Sequence, residues 1–158
     1  MTSAPVRDPI ADHLLTPQNA ALLLIDYQPS QLAGVHSMDR DLLVKNAVST
    51  VKTIKTFDVP VVHSTINVTT GRGGPTLPEL ADLLVDDKPL DRTTTNSWED
   101  IEFLQAVRAT GRRKLILCAL DRNLHGLHRA RRAAGRVRGL PRCRRDRRHL
   151  ARGSPRRP

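Results

Sequence analysis

Aromatic residues are nearly absent from this chain of 158 residues: Tyr27, Phe57, Trp98 and Phe103 are all it has. Rings so few and so scattered cannot build the stacking platform on which RRM and cold-shock domains hold bases. Cysteine is scarcer still. Cys118 and Cys143 are too few for a disulfide framework or an all-cysteine zinc site, and a reduced, cytoplasmic chain is expected. No apolar run approaches the roughly eighteen residues of a membrane span, and the opening MTSAPVRDPIADHLL lacks a basic-then-apolar leader pattern. Phosphate-binding glycine spacing is missing too, and Gly71-Arg72-Gly73-Gly74-Pro75 reads as a turn. His13, His36 and His63 fall in different elements and read as surface or filler side chains. No metal site and no cofactor is expected.

Lysine is missing from the last quarter. Residues 1–120 hold 12 Lys+Arg against 14 Asp+Glu, a balance of −2. Residues 121–158 hold 14 Arg, no Lys, and only Asp121 and Asp146 as acids, a balance of +12. The net charge of +10 and the pI of 10.9 therefore belong to the last quarter. The chain is long enough for one domain with one substantial core, but it is made of two materials joined near Leu120.

What is present before that join reads as α/β. Ala20 to Ile25 (AALLLI) is a short apolar run, the pattern of a strand buried on both faces. Over 41–57 the period changes: Leu43, Ala47, Val51 and Ile54 recur at helical spacing, with Asp39 or Asp41 able to cap the helix. DVP at 58–60 breaks it, and Val61 to Thr65 is a short β-branched run. Pro78 opens a helical stretch from Glu79 to Val85. Ser97-Trp98-Glu99-Asp100 has capping-box spacing ahead of Ile101, Leu104 and Val107, a second amphipathic helix, with Gly111 where a C-terminal cap belongs. KLILCAL at 114–120 is another apolar strand. The alternation predicts a parallel sheet covered by helices, with ligands beyond the carboxyl ends of its strands. Asp26 stands at such an end, either as a working carboxylate or as a solvated turn residue.

Taken together, TPQNAALLLIDYQPSQ (16–31), the helix after it, GPTLPEL (74–80), DRTTTNSWED (91–100) and AVRATGRRKLILCAL (106–120) resemble the isochorismatase-like cysteine hydrolases. The resemblance covers residues 13–120 in unbroken order. It implies a three-layer, Rossmann-like parallel sheet with helices on both faces, incomplete at its C-terminal side, and hydrolysis of a small amide, imide or vinyl-ether-type substrate. It implies an acid–cation–cysteine triad in which Asp26 is the acid and Arg92 holds the cationic position, Lys in much of the family. It implies that Asn96 and Trp98 line the pocket, that no metal takes part, and that full-length relatives form homo-oligomers. Without the resemblance, Arg92 reads as a surface cation and Trp98 as a packing residue.

One element departs from that pattern. Relatives follow this last strand with Trp-Thr-Glu-Val-Cys or a near variant, whose cysteine is the nucleophile. Here Asp121-Arg122-Asn123-Leu124-His125 follows, and the thiol expected just after Leu124 is absent. Cys118 lies within the strand and reads as a small core residue. Cys143 lies among arginines. Neither is a candidate nucleophile.

The genetic code offers an explanation. Joining the last two bases of each codon to the first of the next, Leu120 through Gly126 permits Trp-Thr-Glu-Thr-Cys-Met. Farther on, Arg147 through Ala151 permits Gly-Gly-Thr-Ser, a string these relatives carry later. Residues 121–158 are therefore expected to be an out-of-frame, coil-like tail on a truncated and inactive family member. The rival expectation is a small nucleic-acid-binding protein with an authentic Arg-rich arm. In either case the tail's charge predicts non-specific polyanion binding.

Overall fold

Every residue of the AALLLI run is buried, because the strand it forms lies inside a sheet with both faces covered. The computed structural model describes residues 7–120, and the tail expected to be coil lies outside the described residues. The strands are β1 (Ala20–Ile25), β2 (Val61–Ile66), β3 (Leu90–Arg92) and β4 (Lys114–Ala119). All pair in parallel, in the order β3-β2-β1-β4. The helices are α1 (Pro29–Ala33), α2 (Arg40–Thr56), α3 (Pro78–Ala81) and α4 (Ile101–Ala109). Among the described residues, no helix is long and apolar enough to cross a membrane.

Alternation along β1 sorts the core into two layers. Leu22 and Leu24 pack with Ala47, Val51 and Ile54 of α2 and with Leu77, Leu80 and Leu84 around α3. Leu23 and Ile25 face the other way, onto Phe103 and Val107 of α4. Leu22, Leu23 and Leu24 are fully enclosed, each contributing about 1.5–3 kcal/mol of apolar burial. This is the three-layer arrangement the sequence predicts.

The caps explain the boundaries. Asp39 starts α2, its carboxylate accepting the Leu42 amide at 2.7 Å. Gly111 takes a left-handed φ of 64° just past α4 and returns its amide to Arg108. Three details differ from the sequence reading. Asp100, not Ser97, caps α4 by accepting the Phe103 amide, while Ser97–Glu99 form a separate 3-10 turn. The helix opened by Pro78 ends at Ala81, and isolated turns carry the chain to Leu84. β3 and α1 have no counterpart in that reading; three and five residues are too short for a period to show.

Candidate functional site

Asp26 follows the end of β1, turns in the left-handed region (φ 59°) and donates its amide to the Ser64 carbonyl at 3.0 Å. At the end of β2, Asn67 turns in the same way (φ 60°) and donates its amide to the Arg92 carbonyl at 2.9 Å. Asp and Asn are the non-glycine residues that tolerate this conformation best. Because the strands are parallel, the carboxyl ends of β1, β2 and β3 lie together at one edge of the sheet.

Arg92 closes that place. β3 is separated from β1 by β2, a gap of about 10 Å between strand axes, and only a long side chain reaches across it. The Arg92 Nη2 donates to Asp26 Oδ2, and both side chains are almost wholly buried. Nη1 of the same guanidinium donates to the Thr94 carbonyl and, at 3.3 Å, to that of Thr95. Arg92 is thus a buried, paired cation, and the surface reading does not hold. Asp91, pointing to the other face of β3, accepts from the amides of Val68 (3.0 Å) and Thr69 (2.8 Å) and from the hydroxyls of Thr65 and Thr69.

Gln28, to which the sequence assigns no role, knits these ends together. It is fully buried. Its Oε1 accepts the Ile66 amide at 2.9 Å, while Nε2 donates to the carbonyls of Ile66 (3.1 Å) and Gly74 (2.5 Å). The glycine-rich turn is thereby tied against the end of β2. Gly73 fits there because a Cβ would lie 2.0 Å from the Ile66 carbonyl oxygen. A polar residue three positions past a fully apolar strand is the signal that could have marked Gln28.

Asn96 and Trp98 have structural partners. Asn96 caps the 3-10 turn by accepting the Trp98 amide at 3.2 Å, and donates to Glu99 at 3.0 Å. Trp98 packs edge-on against Phe103, with ring centres 5.7 Å apart, and is half-buried on the α4-side core. Cys118 packs with the α2-side core, whereas Leu90, two residues before Arg92 on β3, packs with the α4-side core. Burial pushes the Cys118 thiol up from its ordinary value, so it is a protonated filler on the wrong face of the sheet. Cys143 and the position after Leu124 lie outside the described residues. His63, read as surface or filler, is buried and hydrogen-bonded through both ring nitrogens. Among the described residues, no three His, Cys, Asp or Glu side chains gather as a metal site.

Known proteins share this fold. The Isochorismatase domain family matches residues 20–135. The chain is 32% identical over 107 residues to the probable hydrolase YcaC of Escherichia coli K12, a match covering 67% of this chain and 51% of that protein. The crystal structure of the E. coli YcaC product, described as an octameric hydrolase of unknown specificity, superposes with a TM-score of 0.61 at 31% identity, over 75% of this chain and 54% of that one. YcaC from Pseudomonas aeruginosa, described with hexane-2,5-diol and covalent acrylamide, gives 0.60 at 30% identity, over 66% and 52%. The chain spans about half the length of these relatives. It belongs to the isochorismatase family.

Proposed function

We propose that this chain carries the acid and the cation of a cysteine hydrolase site whose nucleophile has been read out of frame. The observation that carries this reading is the buried Arg92–Asp26 pair at the carboxyl ends of β3 and β1. β4 lies beside β1 and ends level with it, Ala119 against Ile25, so the chain leaving β4 starts next to the pair. A cysteine carried there would pass its proton to the Asp26 carboxylate while the Arg92 charge steadies the thiolate. The substrate class is a small amide, imide or vinyl ether. For an amide, the thiolate adds to the carbonyl carbon and the leaving nitrogen takes the proton from Asp26. Water then cleaves the thioester and restores the thiol. The covalent acrylamide described for the Pseudomonas relative is in keeping with a nucleophile of this kind.

As written, the chain has Asp121-Arg122-Asn123-Leu124-His125 after Leu120 and no thiol where attack must occur. Loss of a nucleophile forfeits on the order of a millionfold in rate, so no covalent turnover is expected. Asn96 and Trp98 are assigned to the pocket wall next to their structural contacts. By extension from the octameric relative, a frame-restored chain is expected to self-associate, and a free thiol suits a reducing, cytoplasmic setting. The excess of arginine in 121–158 adds polyanion binding as a consequence of charge, not as a role.

The nucleotide sequence around codon 120 tests the frame directly. Restoring Trp-Thr-Glu-Thr-Cys after Leu120 is expected to give a thiol that iodoacetamide alkylates faster than free cysteine. Asp26→Asn and Arg92→Ala in that protein are expected to slow the alkylation. Equal rates in all three would refute the triad, and turnover by the chain as written would refute the account of its inactivity.

A further inference from the structure

The excursion between β2 and β3 leaves the sheet at Asn67 and returns at Leu90, and one buried imidazole grips it at its middle and near its end. His63, on β2, is 3% exposed. Its Nε2 lies 2.9 Å from the Thr76 hydroxyl, at the start of the excursion's helical part, and its Nδ1 lies 3.4 Å from the Asp87 carbonyl near its end. A carbonyl can only accept, so Nδ1 carries the hydrogen, and Nε2 of the neutral ring accepts from Thr76. We propose that His63 is a proton-operated clasp: neutral, it holds the 67–89 segment against the sheet, and protonated, it releases that segment while the sheet stays formed.

Protonation places a hydrogen on Nε2, where Thr76 is already donating. The hydroxyl must turn round, and its own hydrogen then needs a new acceptor in a site with little access to water. The added charge is also buried. The charged groups around the ring are few. Asp87 belongs to the excursion itself, and its carboxylate is paired with Lys55 of α2. His63 is level with Leu24 in the register and so shares its α2-side face, whose core side chains are uncharged. Lys88 lines a groove of about 340 Å³ with Val61, Val62, Leu90 and the Ala106, Ala109 and Thr110 side of α4. Burial pushes His63 below its ordinary value, against a weaker upward pull from the Asp87 carbonyl and carboxylate. The folded state thus favours the neutral ring. The clasp is whole above about pH 6.5 and loosens as pH falls below that value.

Release reaches the strand end that carries Asp26. The clasped segment offers the Gly74 carbonyl to Gln28 and donates the Leu77 amide to the Tyr27 carbonyl at 2.8 Å. Both partners follow Asp26 directly, so mild acid would slacken the turn that aims the carboxylate. This inference stands whether or not the chain is a hydrolase.

Amide hydrogen exchange on the full chain, corrected for intrinsic rates, tests it. Between pH 7.5 and pH 5, protection at Gly73 and Leu77 is expected to fall severalfold. Protection at Leu24 in β1 and Val107 in α4 is expected to hold. His63→Gln, which keeps a hydrogen-bonding side chain without titrating, is expected to abolish the local change. If that variant does not fold, the His63 ring proton shift in the unmodified chain serves instead, and is expected to titrate below the ordinary imidazole range in step with the exchange. Unchanged protection, an equal fall in β1 and α4, a fall that persists in His63→Gln, or titration at or above the ordinary range would each overturn the clasp.

Discussion

Asp26 and Arg92 are placed where stability alone gives little reason for them. Replacing a buried ion pair with well-packed apolar side chains is often neutral or stabilising, whereas losing one partner costs about 3–5 kcal/mol. A pair enclosed at the ends of two strands is in keeping with the proposed acid–cation site. Its neighbour Asp91 has a different task. Burial pushes its carboxyl up, but hydrogen bonds from the Thr69 and Val68 amides and the Thr69 and Thr65 hydroxyls outweigh that and hold it at about 2. A folded-state value below the unfolded one gives stability that is present above about pH 4 and lost as pH falls toward 2. Asp91→Asn is expected to lower the urea midpoint at pH 7, with the gap from the unmodified chain closing between pH 4 and pH 2. A gap independent of pH would show that the carboxylate's charge is immaterial. Of these residues the sequence marked Asp26, because an acid directly after six apolar residues has to sit at a strand end. Arg92 was legible only through the resemblance, since its partner is 66 positions away. Gln28 and His63 were missed because their partners are main-chain atoms or distant hydroxyls, which leave no pattern in composition or period.

Long elements announced themselves and short ones did not. β1 and α2 repeat their period often enough to be read, and Asp39 supplies the stop that fixes the start of α2. β3, with three residues, is a strand only because β2 is there to pair with it. The error at Ser97 has a similar origin: two good capping residues lie three apart, and burial of Phe103 selects Asp100, because that start turns the apolar face of α4 to the sheet. The glycine turn offers a sharp contrast within one loop. Gly73→Ala puts a methyl carbon 2.0 Å from the Ile66 oxygen, and an overpacked contact of that kind costs about 1–3 kcal/mol. Gly71 has φ of 73° with open space around it, so Gly71→Ala meets only the left-handed penalty of about 1–2 kcal/mol. Thermal melts are expected to show the larger loss for Gly73→Ala, together with weakened exchange protection at Ile66. The reverse order would mean that the turn is not pressed against β2.

At the scale of the molecule, charge and fold are separate. The nearly balanced first 120 residues hold the sheet, while the excess positive charge lies in 121–158. Affinity for heparin or random duplex DNA is expected to fall steeply and linearly with the logarithm of salt concentration. Deleting residues 121–158 is expected to abolish it, and retention would place the binding surface elsewhere. The sheet order has a further consequence, in time rather than in space. β1 sits between β2 and β4, and Ala20 pairs with Lys114, roughly 90 residues later in synthesis. At about 5–20 residues per second, a ribosome takes roughly 5–20 s to emit the second neighbour of the most apolar strand in the described chain. Once β2 has emerged, and until β4 follows, AALLLI has one edge satisfied and one edge bare, the condition in which nascent chains pair with the wrong partner. Nascent chains stalled at Gly111 are therefore expected to be captured by an apolar-binding chaperone, and those in which β4 has emerged to be released.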